Sequence, residues 1–215
     1  MRASFYSFSR LALSTWASAL EALRMFSRLP VPPCGHPFDL RLVFALFPLV
    51  GSLLGLLSGA AQSLASSAGL SPLSSSWVAL SLYLYLGFSF HFDGFLDVVD
   101  GWASGRRGEE MLRVMKDPGV GSFALAFGVA YLGLRGSLGA EAEDPLWALS
   151  ACACGGRLSS LSMALLSQRF ALGSFKALFP EVRFWQLLPG LSAHLLLFSG
   201  WGGLTLLSSL GVVLG

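Results

Sequence analysis

Long apolar runs separated by short charged segments set the terms on which this chain folds. Residues 187–215 contain no Asp, Glu, Lys or Arg, and other apolar runs lie at about 42–64, from Trp77 to Phe90, at about 119–138 and at about 146–167. A helix that crosses a bilayer needs about 20 such residues. Only 12% of the 215 residues are charged, against about 25% in an average soluble domain, and mean hydropathy is +0.67. So few charges cannot cover the surface of a small soluble globule. Disorder is excluded as well, because the chain is too apolar and its net charge is only +2. The expectation is an all-α protein, a polytopic integral membrane helical bundle of about five spans. The small net charge also argues against nucleic acid as a partner.

Residues 3–28 read as a helix, but Arg10, Glu21, Arg24 and Arg28 interrupt its apolar positions, which suits a helix lying in the interface. Pro30, Pro32 and Pro33 end it. Residues 1–41 are thus expected to be an interfacial helix and a Pro-rich linker, and 42–215 the bundle, the whole forming a single membrane domain. A Ser/Gly/Pro stretch at 66–76 reads as a loop. Basic residues alternate between segments. They occur in 1–41, in 101–118 (Arg106, Arg107, Arg113, Lys116) and in 168–186 (Arg169, Lys176, Arg183), but not in 65–76 or 139–145. By the positive-inside rule the first three face the cytoplasm. No secretory signal is evident. Three cysteines make an odd count, and Cys152 and Cys154, inside an apolar run, read as small packing residues.

The chemistry concentrates in 91–118. Asp93, Asp97 and Asp100 recur at i, i+4 and i+7, which places them within roughly 60° of one another on a helix. Three carboxylates on one face repel one another, and each costs ~2.5–3.5 kcal/mol at the centre of a membrane span. A divalent cation relieves both penalties. Oxygen donors without a flanking His or Cys cluster suit Mg²⁺, with Mn²⁺ as the alternative. Mg²⁺ held by few carboxylates implies a phosphate-bearing substrate. The bland alternative is a solvated helix end. Arg113 and Lys116, at i and i+3, are candidates for gripping phosphate or are ordinary cytoplasmic charges. Asp117 before Pro118 either caps the next helix or binds metal. His91 points away from the acidic stripe on a continuous helix, as a candidate base or substrate contact. Gly94 and Gly101 allow close backbone approach or mark helix ends. Arg157 sits mid-span in Gly155-Gly156-Arg157 and needs a partner, either the stripe, its substrate or a buried acid. Arg135 is expected to snorkel at the outer end of its span.

His91-x-Asp93-Gly94 with Asp97, Asp100 and Gly101, then Met115-Lys116-Asp117 and Gly121, resembles the cobalamin synthase family (adenosylcobinamide-GDP ribazoletransferase). Phe26-Ser27-Arg28-Leu29-Pro30-Val31-Pro32, Phe47-Pro48-Leu49-Val50-Gly51, Gly156-Arg157 and Arg169…Leu172-Gly173 add to the resemblance, which covers about 25–175. The family implies an enzyme of the bacterial or archaeal cytoplasmic membrane, active in the last steps of coenzyme B12 synthesis. It joins adenosylcobinamide-GDP to α-ribazole or its 5′-phosphate and releases GMP. On that resemblance His91, Asp93, Asp97 and Asp100 are the catalytic candidates. Asp93, Asp97, Asp100 and Asp117 are the candidate ligands of Mg²⁺, and Arg113, Lys116, Arg157 and Arg169 the candidate substrate contacts. The chain departs from the family pattern at Pro118, where a polar residue is usual. It also lacks a later Gly-Thr-Gly-Asp-like motif and glutamate, as expected of a truncated or divergent member. The competing expectations are a CDP-alcohol type of membrane phosphotransferase and a divalent-cation transporter. Oligomeric state is left open, a homo-oligomer included.

Overall fold

The computed structural model describes the backbone of residues 2–87, 89–167 and 182–199, and the side chains of 13–87, 89, 91–166 and 182–197. Among these residues every regular element is helical. In chain order the helices are α1 (Arg2–Phe26), α2 (Leu40–Ala45), α3 (Phe47–Ser67), α4 (Pro72–Leu86), α5 (Phe90–Ala103), α6 (Glu109–Met115), α7 (Ser122–Ala140) and α8 (Pro145–Ser167). A 3-10 turn (Phe184–Leu187) leads into α9 (Leu188–Ser199). Three of them, α3, α7 and α8, are long and apolar enough to cross a membrane, and α4 with α5 makes a fourth such element bent by 89°. The expected fifth span lies largely outside the described residues, which reach only the 12-residue α9. The protein is an all-α polytopic membrane bundle.

The expected boundaries shift for local reasons. The first span starts at Phe47, not Leu42, because α2 ends at Leu46 and Pro48 restarts the chain at the head of α3. The stretch expected to loop at 66–76 already holds the first turn of α4. Ser71 caps that helix by accepting from the Ser74 N–H, with Pro72 following at the first helical position. The next span begins at Ser122, and residues 119–121 are loop.

The bundle is organised around the α3–α8 pair. Gly51, Gly55 and Gly59 fall on one face of α3, where the α8 backbone comes too close for any side chain. A Cβ on Gly51 would stand 2.6 Å from the Ala153 carbonyl oxygen, and Cβ atoms on Gly55 and Gly59 would meet the backbone of Leu149 and Pro145. Small residues let helix backbones approach in a membrane, where lipid offers no hydrophobic force to hold helices together. The Ser52 and Ser150 hydroxyls close the same seam at 2.7 Å. At one end of the bundle, Gln62 of α3 and Ser76 of α4 donate to the Gly139 and Gly136 carbonyls of α7, both at 2.7 Å. Outward, α7 exposes Phe123, Leu125, Phe127, Val129, Leu134 and Leu138. Such a face would be a liability in water and is what lipid solvates.

At the other end, the second half of α1 buries Ala17, Ser18 and Ala22, and Phe26 packs between Phe44 and Phe47. The Arg28 N–H donates to Leu86 O at 2.7 Å, which ties the Pro-rich segment to the end of α4. Gln186, fully buried, donates to Arg41 O at 2.7 Å and anchors the 3-10 turn on α2. The parts far apart in sequence therefore converge around the α4–α5 bend.

Candidate active site

Helix α5 carries the acids, and its two faces differ. Val99 is buried, and Phe92 and Phe95 gather against Tyr131 of α7, with ring centroids at 6.0 and 5.2 Å. At about 100° per residue, Asp93, Asp97 and Asp100 lie on the other side. The chain bends by 89° between α4 and α5. Gly94 has no protein atom within 4 Å of a built Cβ, whereas Gly101 is pressed by the Met115 and Met111 side chains of α6. Close packing inside the protein therefore accounts for Gly101 and not for Gly94.

The three aspartates do not share one environment. Asp100 accepts from the Gly121 N–H at 2.6 Å and from the Ala124 N–H at 3.2 Å. It thereby supplies the N-terminal cap of α7, for which Gly121 has no side chain. A Cβ on Gly121 would collide with the Asp100 carboxylate. Asp117, the residue expected to cap this helix, instead accepts from the Gly119 N–H at 3.0 Å in a local turn. Pro118 lies in the loop, four residues before Ser122, so the capping expectation for Asp117 is corrected. Asp93 and Asp97 make no hydrogen bond or ion pair with the described residues.

Among the described residues no three His, Cys, Asp or Glu side chains stand close enough to hold an ion. Mg²⁺ commonly takes only one or two carboxylates and fills its shell with water and substrate phosphate. Asp93 and Asp97, one turn apart and without a hydrogen-bond or ion-pair partner among the described residues, fit that mode. Asp100 has both oxygens engaged by backbone N–H groups.

On the inner side of α5 lies a cavity of about 70 Å³, bounded by α4, α5, α7 and α8, with Tyr83, His91, Phe92, Tyr131, Arg135 and Arg157 among its lining. Arg157 is 2% exposed. Its Nη2 donates to Phe26 O at a long 3.5 Å and its guanidinium lies 5.2 Å from the Phe47 ring centre. Its Nε and Nη1 have no hydrogen-bond partner among the described residues. Leaving such a buried donor unsatisfied costs about 1–3 kcal/mol. Of the partners expected for Arg157, a buried acid is not found among the described residues. Arg135, expected to snorkel at the end of its span, is half-buried and lines this cavity with Tyr131. Its signal in the sequence was the four-residue spacing from Tyr131, which puts both on one helix face. Arg113 and Lys116 are exposed at the end of α6, which packs beside α5. Arg169 lies outside the described residues.

Fold and site define a class, a polytopic helical membrane protein with acids and cations gathered around one bent element. The cobalamin-5-phosphate synthase family model matches residues 18–215, and the chain belongs to that family. It is similar to the adenosylcobinamide-GDP ribazoletransferase of Chlorobium phaeobacteroides (strain BS1), 44% identical over 121 residues, which cover 55% of this chain and 47% of the relative. The protein of the same name from Pelodictyon phaeoclathratiforme is 41% identical over 111 residues, 52% of this chain and 42% of the relative. That from Brucella canis is 33% identical over 126 residues, 55% and 47%. The chain spans about half the length of the curated relatives it matches. No solved structure matches it.

Proposed function

We propose that the chain is a membrane-embedded phosphotransferase that joins adenosylcobinamide-GDP to α-ribazole, or to its 5′-phosphate, with release of GMP. The observation that carries this reading is the family match over residues 18–215, which includes the acidic helix α5. In the reaction a ribose hydroxyl attacks the phosphorus nearer cobinamide. The bond from that phosphorus to the GMP oxygen breaks, and the hydroxyl proton passes to a base. His91 or one of the α5 carboxylates would orient the hydroxyl and take the proton. Asp93 and Asp97 would hold Mg²⁺, which when bound neutralises charge on the diphosphate and the leaving group. Arg113 and Lys116 supply exposed cations for phosphate oxygens, and Arg157 a buried one. The alternation of basic segments supports a site open to the cytoplasm. A cation-transport path is disfavoured, because α3, α7 and α8 contain no Asp or Glu.

The full chain in lipid nanodiscs should release GMP from adenosylcobinamide-GDP only when α-ribazole or its phosphate and Mg²⁺ are both present. Asp93→Asn and Asp97→Asn should each lower turnover by at least about 100-fold, the scale of a lost electrostatic contact in a water-poor site. Release no greater than from empty nanodiscs, or undiminished in EDTA, would overturn the reading.

A further inference from the structure

We infer that the cavity between α4, α5, α7 and α8 is a phosphoryl-binding site in which Arg135 joins Arg157 and His91. The inference deepens the phosphotransferase reading and rests on it only for the source of the phosphate. Four observations point the same way. Arg157 is almost wholly buried, yet two of its donors, Nε and Nη1, have no partner among the described residues. A second arginine, Arg135, lines the same space, and among the described residues that line it none is Asp or Glu. Two uncompensated cations beside apolar and aromatic walls call for an anion, because lipid and hydrocarbon cannot solvate them. The start of α5 also opens on the cavity through Ser89, His91 and Phe92. Its leading N–H groups have no partner within the helix and carry the positive end of its dipole.

The geometry selects the ligand class. One water needs about 10–15 Å³ on the comparable measure, so a cavity of about 70 Å³ admits a group of a few heavy atoms, the size of one phosphoryl group. Arg presents a planar fork that matches two phosphate oxygens. Tyr83 and Tyr131 in the lining add hydroxyl donors. The acids Asp93 and Asp97 project from the opposite side of α5. A diphosphate reaching around the start of this helix would therefore meet cations on one side and carboxylate-held metal on the other. A phospholipid headgroup presents the same phosphoryl chemistry from the bilayer.

The test uses the full chain, thermal unfolding and direct binding in EDTA, with inorganic pyrophosphate as the probe and nanodiscs of either phosphatidylcholine or phosphatidylglycerol. Pyrophosphate should raise Tm and bind saturably in phosphatidylcholine discs. Arg135→Gln, half-buried and so safe for folding, should weaken that binding about tenfold, the effect of one charge-assisted hydrogen bond. Arg157→Lys, which keeps the charge but loses the fork, should weaken it comparably. Asp93→Asn/Asp97→Asn should leave it unchanged or stronger. This holds even if no GMP is released, so the site and the transferase reading can fail separately. Stabilisation by phosphatidylglycerol that pyrophosphate does not displace, and that Arg135→Gln removes, would assign the site to a lipid headgroup. Absence of both effects, or pyrophosphate binding indifferent to Arg135→Gln and Arg157→Lys, would overturn the inference.

Discussion

At the scale of single residues, the three aspartates of α5 separate into two roles. Asp100 gives its oxygens to the Gly121 and Ala124 N–H groups, while Asp93 and Asp97 have no partner among the described residues. Asp100→Asn keeps one acceptor but turns an amide N–H toward a backbone donor. It should lower stability by about 1–2 kcal/mol, the range for a lost helix cap. Asp93→Asn and Asp97→Asn should leave stability intact or raise it slightly, since each removes like-charge repulsion. Thermal unfolding in detergent beside turnover in nanodiscs separates these outcomes. Equal loss of Tm in all three variants would show that the aspartates form one structural unit. Gly121→Ala supplies a second check, because its Cβ would enter the Asp100 carboxylate; it should reproduce the Asp100→Asn loss without changing any charge.

At the scale of elements, the α3–α8 seam holds the frame on which Arg157 is presented. Gly51, Gly55 and Gly59 recur every four residues, a pattern that the charge and hydropathy reading misses, and a small-residue stripe does not by itself name its partner helix. Gly55→Leu would drive a side chain into the Leu149 backbone, where a rotamer change brings no relief. Its penalty should exceed the usual cost of overpacking, about 1–3 kcal/mol. Gly133→Ala, on α7 with nothing within 4 Å, should be neutral or gain up to about 1 kcal/mol from better helix propensity. Monodisperse yield and Tm after detergent extraction read both. A Gly55→Leu protein as stable as wild type would mean that the two helices can separate at this point.

At the scale of the whole molecule, orientation follows from charge. Ser104 ends α5 and Ala142 lies beyond the far end of α7, so one span separates them. In a background free of Cys34, Cys152 and Cys154, a cysteine at Ser104 should react with a membrane-impermeant thiol reagent only from the cytoplasmic side. A cysteine at Ala142 should react only from outside. The reverse pattern would overturn the positive-inside assignment. The same arrangement brings the Phe26–Pro32 segment to the site: Phe26 O faces Arg157 Nη2 and Arg28 N reaches Leu86 O. A resemblance motif far from Arg157 in sequence thus becomes part of its surroundings.

The sequence by itself determined the all-α class, the membrane environment and the acidic face of α5, because each depends on quantities local to the chain. Charge density decides the solvent, apolar run length decides the span, and a 3.6-residue period decides which carboxylates share a face. Element ends were legible only in part, since Pro48 and Ser71 act through caps that a hydropathy reading passes over. Tertiary structure alone decided which aspartate is already engaged, and which arginines meet. Asp100 finds N–H groups 21 and 24 residues away, and Arg135 and Arg157 reach one cavity from separate helices. Hydrogen bonding and electrostatics in an apolar interior depend on which groups lie within a few ångströms, and that proximity is set by helix packing, not by spacing along the chain.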